Sequence, residues 1–529
     1  MLLPDVMHIL VPAVWGLSAL VTALHFVHML QLSSYQPPGY LRWFRRHGVD
    51  ALARLVWVVP TLFLWLWRDD RVLYALVFFY ALLAVVARPL RKAKKPLKFT
   101  SRVIRLLVTL ALLFSAVSWA VWRFRPETGD RWLPLILLGL GYLLTPLWVL
   151  LANLINMPIQ KGIETFYIRD ARRRLDTHPG LIILGVTGSY GKTSTKHFLQ
   201  RLLSEKYNTL MTPGSYNTPM GVVRTVRERL LPTHEVFVCE MGARHVGDIK
   251  KLCQIARPRH GLLTSVGPQH LETFGTQEAI ANEKFQLIHA LPSGGLAFLN
   301  MSSPLVKNHP LNRPAVRYGI SEETDHTLDY RAFDLKAGPE GLDFSVETKA
   351  GETARFSTAL IGRHNVENIT AAIAVAHKLG VPLARLVSAV RTLKPTSHRL
   401  QLLTPAAGLT IIDDAFNANP EGARIALETL AGFDGLKLLV TPGFIELGDR
   451  QDACHEELGR QAAVVCDFVA LVGVKQTEAI VRGLTSSGFP GEKLFVGETF
   501  QECMTAVRDL PADGRTKFVL LENDLPDHY

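Results

Sequence analysis

The sequence predicts an α-helical membrane domain followed by an α/β region, and three observations support this prediction. The first 155 residues contain five long apolar stretches. The excess positive charge of the chain lies around those stretches. From residue 181 onward, short apolar runs alternate with helix-period patterns, which is typical of doubly wound parallel sheets. The runs that we interpret as strands are Leu181–Leu184, Val236–Cys239, Leu262–Ser265, Leu296–Leu299, Leu409–Ile412, Leu438–Thr441, Phe468–Leu471 and Lys517–Leu521.

The apolar stretches are close to the length that crosses a bilayer, which is about 20 residues with a range of about 17–25. They are approximately Met7–Leu30, Ala51–Trp67, Val72–Ala87, Leu106–Trp122 and Trp132–Ile155. Trp and Tyr near their ends favour membrane helices over the buried helices of a soluble protein. The first stretch has neither a basic start nor a small-residue cleavage site, which argues against a signal peptide. We therefore predict a five-helix transmembrane domain over residues 1–155.

The basic residues predict how this domain is oriented. Residues 1–152 contain 17 Lys or Arg and 6 Asp or Glu, a balance of +11 that equals the formal net charge of the whole chain. Loops 31–50 and 88–105 carry much of this excess, so the charge reports membrane topology rather than nucleic acid binding. With both loops on the cytoplasmic side, the N-terminus lies outside and the α/β region lies in the cytosol. The five cysteines lack the spacing of metal or redox motifs.

A glycine-rich loop joins the first predicted strand to a helix. Residues 185–193 read Gly-Val-Thr-Gly-Ser-Tyr-Gly-Lys-Thr. Glycines let backbone N–H groups close around phosphate oxygens, and the helix N-terminus adds partial positive charge. Lys192 is then expected to neutralise the β- and γ-phosphates, and Thr193 to hold Mg²⁺. The strict pattern has glycine where this chain has Val186, so a chance glycine-rich turn stays open at this point. The loop residues that we predict to bind nucleotide are Thr187, Gly188, Ser189, Gly191, Lys192, Thr193 and Ser194.

A series of motifs along the chain resembles the Mur ligases. They are Thr187-Gly-Ser-Tyr-Gly-Lys-Thr-Ser194, Cys239-Glu-Met-Gly-Ala243, Gly267-Pro-Gln-His270, Glu283-Lys284, Gly362-Arg-His-Asn-Val-Glu-Asn368 and Ser397-His-Arg-Leu-Gln401. Asp413-Asp-Ala-Phe-Asn-Ala-Asn-Pro420, Ile445-Glu-Leu-Gly448 and His455 are similar to the MurF branch of that family. The likeness spans about residues 180–529. Tyr190 and Phe416 depart from the branch, which more often has Asn and Tyr there.

The resemblance implies the domain organisation of the α/β region. It implies a P-loop-type central ATPase domain over residues 181–395 and a C-terminal Rossmann-like α/β domain over 396–529. Residues 156–180 are then an amphipathic juxtamembrane linker. Mur ligases carry a first domain that binds the uridine-diphosphate sugar, and the linker is too short to contain such a domain. The membrane helices take its place, which puts the usual soluble substrate in question.

The resemblance also implies roles for individual residues. Glu240 ends a predicted strand and matches a Mg²⁺ ligand, and His270 matches the ligand of a second Mg²⁺. Lys284 matches the lysine that these enzymes carbamylate with CO₂, which gives an anion able to hold Mg²⁺. The remaining matches are Asn365 and Asn368 as adenine contacts, Arg399 as a γ-phosphate contact and Asp414 as a ribose contact. Taken singly, each of these is compatible with an ordinary surface or capping residue, and it is their joint order that favours function.

These roles predict an ATP-dependent amide ligase of the bacterial cytoplasmic membrane. A carboxylate would be activated as an acyl phosphate and attacked by the amine of an amino acid or dipeptide, with Lys192, His270, Lys284 and Arg399 as the catalytic groups. The acceptor is expected to be a small molecule or a lipid-linked carboxylate in cell-wall precursor synthesis. Three alternatives stay open. They are conventional D-alanyl-D-alanine addition to the UDP-linked muramoyl tripeptide with the helices as an anchor, γ-glutamyl polymer synthesis, and a nucleotide-sensing membrane scaffold without catalysis.

Overall fold

The computed structural model describes most of the chain in two compact units. The described residues are 2–53, 55, 59, 71–86, 96–123, 133–269, 271–406, 408–416, 419–444, 447 and 450–523. One unit is built from the chain up to Phe166, and the other begins at Tyr167.

The first unit is helical. Its helices are α1 (Leu2–Leu32), α2 (Pro37–Ala53, kinked at His47), α3 (Arg71–Val86), α4 (Ser101–Arg123), α5 (Leu133–Leu143) and α6 (Thr145–Asp176), the last of which continues into the second unit. Trp15 and Tyr142 lie in its buried core. The Trp15 indole N–H donates to the carbonyl of Leu138 (2.7 Å), and the Tyr142 hydroxyl lies 2.6 Å from that of Thr22. Several outward-facing side chains are apolar, with Phe78, Leu112 and Trp119 more than half exposed.

Two described helices are long and apolar enough to cross a membrane, namely Ile9–Leu32 and Ser101–Val121. The pair Ile136–Leu143 and Thr145–Asp176 counts as a third if its 70° bend lies within one span, and Tyr74–Val85 is a shorter apolar helix. The predicted stretch Ala51–Trp67 falls largely outside the described residues. A count of five membrane helices therefore stays a prediction.

The fifth predicted stretch differs from a single straight helix, because it breaks between α5 and α6. Pro146 occupies the first turn of α6, where it has no N–H to donate to the preceding turn. It also disfavours helical backbone at the residue before it. The Thr145 hydroxyl instead donates to the carbonyl of Tyr142 at 2.6 Å. The helix then continues without a break through most of the predicted linker to Asp176.

The central domain of the second unit is built on a nine-stranded sheet in the order β2-β3-β1-β4-β5-β6-β7-β8-β9. The strands are β1 (Ile182–Thr187), β2 (Thr209–Met211), β3 (Val236–Glu240), β4 (His260–Leu263), β5 (Ala297–Asn300), β6 (Val316–Ile320), β7 (Tyr330–Gly338), β8 (Gly341–Thr348) and β9 (Thr353–Thr358). The helices are α7 (Lys192–Leu203), α8 (Pro219–Arg229), α9 (Asp248–Ala256), α10 (Leu271–Phe274), α11 (Gln277–His289), α12 (Pro304–Lys307), α13 (His364–Lys378) and α14 (Leu383–Arg391). Two apolar cores form on this domain, and Ala171 near the end of α6 is buried in one of them.

In the parallel part of this sheet β1, β3, β4 and β5 agree with the prediction, whereas β2, β6 and the strands of the other edge were not predicted. β1 pairs with β3 and β4 in parallel at the centre of the sheet. From β7 to β9 the pairing is antiparallel, and the sequence analysis did not predict these strands. The second half of β7 alternates between partly buried and exposed residues, because one face of this edge is open to solvent. Such a strand is not a continuous apolar run in the sequence, so it was not predicted.

The C-terminal domain has a six-stranded sheet in the order β10-β11-β15-β12-β13-β14. Its strands are β10 (Gln401–Ala406), β11 (Leu409–Asp414), β12 (Leu436–Thr441), β13 (Phe468–Val472), β14 (Leu494–Gly497) and β15 (Lys517–Glu522). Its helices are α15 (Pro420–Ala431), α16 (Gln451–Val465), α17 (Val474–Ser486) and α18 (Phe500–Asp509). All pairs are parallel except β10 with β11. The Asn419 side chain caps α15 by accepting from the N–H of Gly422, and Pro420 occupies the first turn.

Candidate active site

The glycine-rich loop connects the end of β1 to the start of α7, and two of its glycines have no room for a side chain. Gly188 has φ 150° and Gly191 has φ 77°. A Cβ on Gly188 would lie 2.0 Å from the hydroxyl of Thr264, and one on Gly191 would lie 2.3 Å from the Asn368 side-chain oxygen. The tight fit brings the loop backbone against β4 and α13, as a phosphate cradle requires.

Hydrogen bonds to residues just after β3 and β4 hold this loop. The backbone N–H of Ser189 donates to the carbonyl of Ser265 (2.7 Å), and its hydroxyl donates to the carbonyl of Gly267 (3.0 Å). The buried Thr187 hydroxyl donates to the carbonyl of Met241 (2.8 Å). Thr187 and Ser189, predicted as nucleotide contacts, thus fix the shape of the loop. Ser194 is buried in the first turn of α7.

The ammonium of Lys192 lies over the loop. It donates to the carbonyls of Gly188 (2.7 Å) and Ser189 (2.9 Å). Burial lowers the pKa of Lys192 to about 8, against the opposing effect of the Glu240 charge. This lysine is therefore placed where it would meet the terminal phosphates of a nucleotide bound in the loop.

A hydroxyl and a carboxylate meet beside Lys192. The Thr193 hydroxyl donates to Glu240 Oε1 at 3.2 Å, and the Asn217 amide donates to the same oxygen at 3.0 Å. Glu240 Oε2 accepts from Lys196 at 2.8 Å, in an ion pair whose side chains are both about fully buried. Burial raises the pKa of Glu240, but the charges of Lys196 and Lys192 outweigh it and hold the pKa below its usual range. Glu240 is thus kept ionised beside Thr193.

This donor set fits a Mg²⁺ ion that is also bound by nucleotide phosphates. Such sites use one or two carboxylates together with phosphate oxygens and water. Among the described residues there is no group of three or more His, Cys, Asp or Glu that could hold a metal by itself. Thr193 and Glu240 therefore suit a shared ion rather than an all-protein cage.

Lys284 lies on α11 and is 3% exposed. No side chain or backbone group in the described part of the chain hydrogen bonds to its ammonium. Burial, followed by the Lys192 charge, lowers the pKa of Lys284 to about 7 against the opposing charges of Glu283, Asp248 and Glu240. The neighbouring Glu283 faces another way, because it accepts from the backbone N–H groups at the start of α9. His270, the predicted partner of Lys284 at a second metal, lies outside the described residues.

The predicted adenine contacts Asn365 and Asn368 are buried in the first turns of α13. The Asn365 amide donates to the carbonyl of Ile361 (2.8 Å), and the Asn368 side-chain oxygen accepts from the Thr195 hydroxyl (3.1 Å). Asn368 thus ties α13 to α7 and the loop. These contacts place Asn368 at the loop and Asn365 one turn before it on α13, and the contact of either residue with adenine stays a prediction.

Arg399 brings the C-terminal domain to the loop. Its guanidinium donates to the Thr193 hydroxyl at 3.5 Å and lies over the Phe416 ring at 4.7 Å. Asp414, predicted to contact ribose, ends β11 and accepts from the backbone N–H of Leu400 at 3.1 Å. The structure therefore brings Thr193, Glu240 and Arg399 together, and their roles stay predictions.

Several polar residues beside the site were not predicted from the sequence. Lys196 and Asn217 hold Glu240, and Glu367 accepts from the Asn300 amide at 2.9 Å beside the loop. The one signal for Lys196 was its position one helical turn after Lys192, on the face that α7 buries. The Tyr190 hydroxyl is buried and has no hydrogen-bond partner in the described part of the chain.

Part of the motif that we assigned to the MurF branch cannot be located, because Asn417, Ala418, Ile445, Glu446 and Gly448 lie outside the described residues. His455 is described. Its ring nitrogen accepts from the backbone N–H of Phe444 at 2.7 Å, which gives it a position in the C-terminal domain core.

Two segments of the chain match one family of proteins. Residues 186–376 match the Mur ligase middle domain, and residues 398–521 match the Mur ligase glutamate ligase domain. The chain is 30% identical to the UDP-N-acetylmuramoyl-tripeptide–D-alanyl-D-alanine ligase of Escherichia coli, over 66% of this chain and 76% of that one. The chain belongs to the Mur ligase family. Members of this family are ATP-dependent ligases that form amide bonds.

Other relatives of this Mur ligase agree with that assignment. The ligase of the same description from Bacillus subtilis is 33% identical over 53% of this chain, and the chain spans 60% of its length. MurF from Acinetobacter baumannii superposes with a TM-score of 0.61 at 27% identity, covering 68% of this chain and 77% of that one. MurF from Thermotoga maritima in complex with ADP gives 0.59 at 28% identity, with 68% and 80% covered. Residues 1–185 lie outside both matched family segments.

Proposed function

We propose that this chain is a membrane-anchored, ATP-dependent amide ligase of the MurF type that works through an acyl phosphate. The observation that carries the proposal is the meeting of Lys192, the Thr193–Glu240 pair and Arg399 at one loop, since these groups come from both α/β domains. A nucleotide-sensing scaffold without catalysis would not need Arg399 from the second domain or a buried Lys284.

The proposed chemistry has two steps. An oxygen of the acceptor carboxylate attacks the γ-phosphorus of ATP, an O–P bond forms, and the bond to the ADP oxygen breaks. The amine nitrogen then attacks the acyl carbon, the C–N bond forms, phosphate leaves, and the amine proton passes to solvent. Lys192 and Arg399 are placed to stabilise the charge that develops on the transferred phosphoryl group.

The metal requirement follows from the same residues. Thr193 and Glu240 would hold one Mg²⁺, and His270 with a carbamylated Lys284 would hold the second. Bound Mg²⁺ supplies charge neutralisation on the phosphate oxygens. Within the chain itself, Lys196 and Asn217 keep Glu240 oriented, and Arg399 closes the site against water from the C-terminal side.

The substrates are inferred from the relatives and from the helical unit. Relatives named as UDP-N-acetylmuramoyl-tripeptide–D-alanyl-D-alanine ligases suggest a D-alanyl-D-alanine donor of the amine and a muramoyl peptide acceptor. The apolar helices of the first unit suggest a multi-pass protein of the bacterial cytoplasmic membrane, with its N-terminus outside and its α/β domains in the cytosol. Such a location favours a lipid-linked acceptor over a soluble UDP-linked one.

An assay of paired substrates tests this proposal. Full-length protein in detergent would receive ATP and Mg²⁺, with a soluble UDP-linked or a lipid-linked muramoyl tripeptide, each with D-alanyl-D-alanine, D-alanine or L-glutamate. We expect phosphate release and an amide product of matching mass with D-alanyl-D-alanine, and loss of both in Lys192→Ala. Phosphate release only with L-glutamate and a growing γ-glutamyl product would point to polymer synthesis. ATP binding without any product would contradict the proposed activity.

A further inference from the structure

Two carboxylates meet at the ends of neighbouring strands in the C-terminal domain. β11 and β15 pair in parallel, and their register places Asp414 beside Glu522, the last residue of each strand. Glu522 is 1% exposed. The pair therefore lies at the carboxyl-end edge of the sheet, where open α/β sheets bind their ligands.

The hydrogen bonding of this pair is incomplete unless it carries a proton. Neither oxygen of Glu522 accepts a hydrogen bond from a described residue. Asp414 accepts one from the backbone N–H of Leu400. Two ionised carboxylates only accept hydrogen bonds and repel each other, whereas one shared proton replaces that repulsion with a short, charge-assisted bond.

The charged groups around the pair can balance only one negative charge. Arg399 is the cation whose charge acts on Asp414. Asp413, on the same strand, has its own partner in His398, whose ring nitrogen lies 2.7 Å from its carboxylate. Burial raises the pKa of Asp414 to about 6, against the opposing charge of Arg399. Burial, followed by the charge of Asp414, raises the pKa of Glu522 well above its ordinary value.

We propose that Asp414 and Glu522 share one proton, which Glu522 donates, and that Glu522 is thereby a positioning residue for nucleotide binding. The shared proton orients Asp414 and keeps the pair singly charged beside Arg399. The inference rests on the proposed function, because Asp414 is taken to face the nucleotide. Its consequence is that loss of the proton adds a second negative charge where an anionic nucleotide must bind.

The test is the KM for ATP against pH in the full-length protein, compared between wild type, Glu522→Gln and Glu522→Leu. Glutamine keeps a donor and cannot ionise, and leucine removes the donor. Glu492→Gln, an exposed glutamate of this domain, is the matched control. Lys192 and Lys284 also change protonation near the pH range of the assay, which is 7.5 to 9.5. The readout is therefore the difference in KM between variants rather than the pH profile of one protein.

We expect the KM of wild type to rise from pH 7.5 to 9.5 at least about threefold more than that of Glu522→Gln, with kcat little changed between them. Glu522→Leu should have a raised KM already at pH 7.5, while Glu492→Gln follows wild type. Parallel profiles for wild type and Glu522→Gln would overturn the inference, as would a wild-type KM in Glu522→Leu.

Thermal unfolding gives a second readout that does not need activity. When the pKa of a carboxyl group is higher in the folded protein than in the unfolded one, the protein loses stability as the pH rises from the unfolded-state pKa towards the folded-state pKa. The melting temperature of Glu522→Gln relative to wild type should therefore increase with pH, and a constant difference would contradict the shared proton. Absence of ATP binding by wild type at pH 7.5 in equilibrium dialysis would instead contradict the proposed function.

Discussion

At the scale of single residues, Lys284 differs from an ordinary surface lysine in its burial and in its lowered pKa. With a pKa lowered to about 7, a large fraction of its amine is neutral at physiological pH. Only the neutral amine can attack the carbon of CO₂. In that reaction an N–C bond forms, a proton passes to solvent, and a carbamate anion replaces the cation. The local field therefore favours the modification that the family resemblance implies.

Replacing Lys284 with Ala should lower ligation by at least about a hundredfold, because the proposed carbamate, and with it a carboxylate for the metal, would be lost. Short-chain carboxylic acids in the buffer should restore part of the rate. The matched control is Lys250→Ala, which removes an exposed lysine and should leave the rate unchanged. Phosphate release measured with and without added bicarbonate provides the readout. Wild-type activity in Lys284→Ala would remove this lysine from the mechanism.

At the scale of elements, α7 carries two lysines with different tasks one turn apart. Lys192 faces the loop, and Lys196 is paired with the buried Glu240.

Replacing Lys196 with Met should destabilise the protein by roughly 3–5 kcal/mol, because removal of one partner leaves an uncompensated buried charge. The double variant Lys196→Met with Glu240→Gln should recover much of the stability but not the activity. Denaturant unfolding and phosphate release test this, and equal stability of the two variants would contradict it.

The elements also show how far the sequence could predict this structure. All eight predicted strands correspond to strands of the two sheets, because buried parallel strands are continuous apolar runs. The sequence did not reveal β2, β6, β10, β14 or the edge from β7 to β9, and at that edge the reason is that one face meets solvent. In the site, the motifs singled out Lys192, Glu240 and Arg399, which the structure brings together at one loop, and their roles stay predictions. Lys196 was missed because its role depends on a tertiary contact with β3 that no local pattern records.

At the scale of the whole molecule, the helical unit lies outside the two segments that match the Mur ligase family. Phe78, Leu112 and Trp119 face outward from its helices, which is expected of helices in an apolar environment. The break before α6 depends on Pro146 and could have been predicted from the sequence, because proline disfavours helix at the residue before it.

Removal of the helical unit tests what it contributes. A protein starting at Asn156 should still bind ATP but lose ligation of the lipid-linked acceptor, since the acceptor is proposed to enter from the bilayer. A variant with one unrelated membrane helix fused at the same position controls for simple tethering. If the truncated protein ligates D-alanyl-D-alanine to the UDP-linked tripeptide at the full-length rate, the helices are only an anchor.

The central claim is that a carboxylate oxygen passes to phosphate during amide formation. This is tested by labelling the acceptor carboxylate with ¹⁸O and analysing the released phosphate by mass spectrometry. An acyl phosphate leaves one carboxylate oxygen on each phosphate released, so we predict one ¹⁸O per phosphate, with no label in Lys192→Ala because no phosphate forms. Unlabelled phosphate in the presence of amide product, or label in a nucleotide product, would contradict the account.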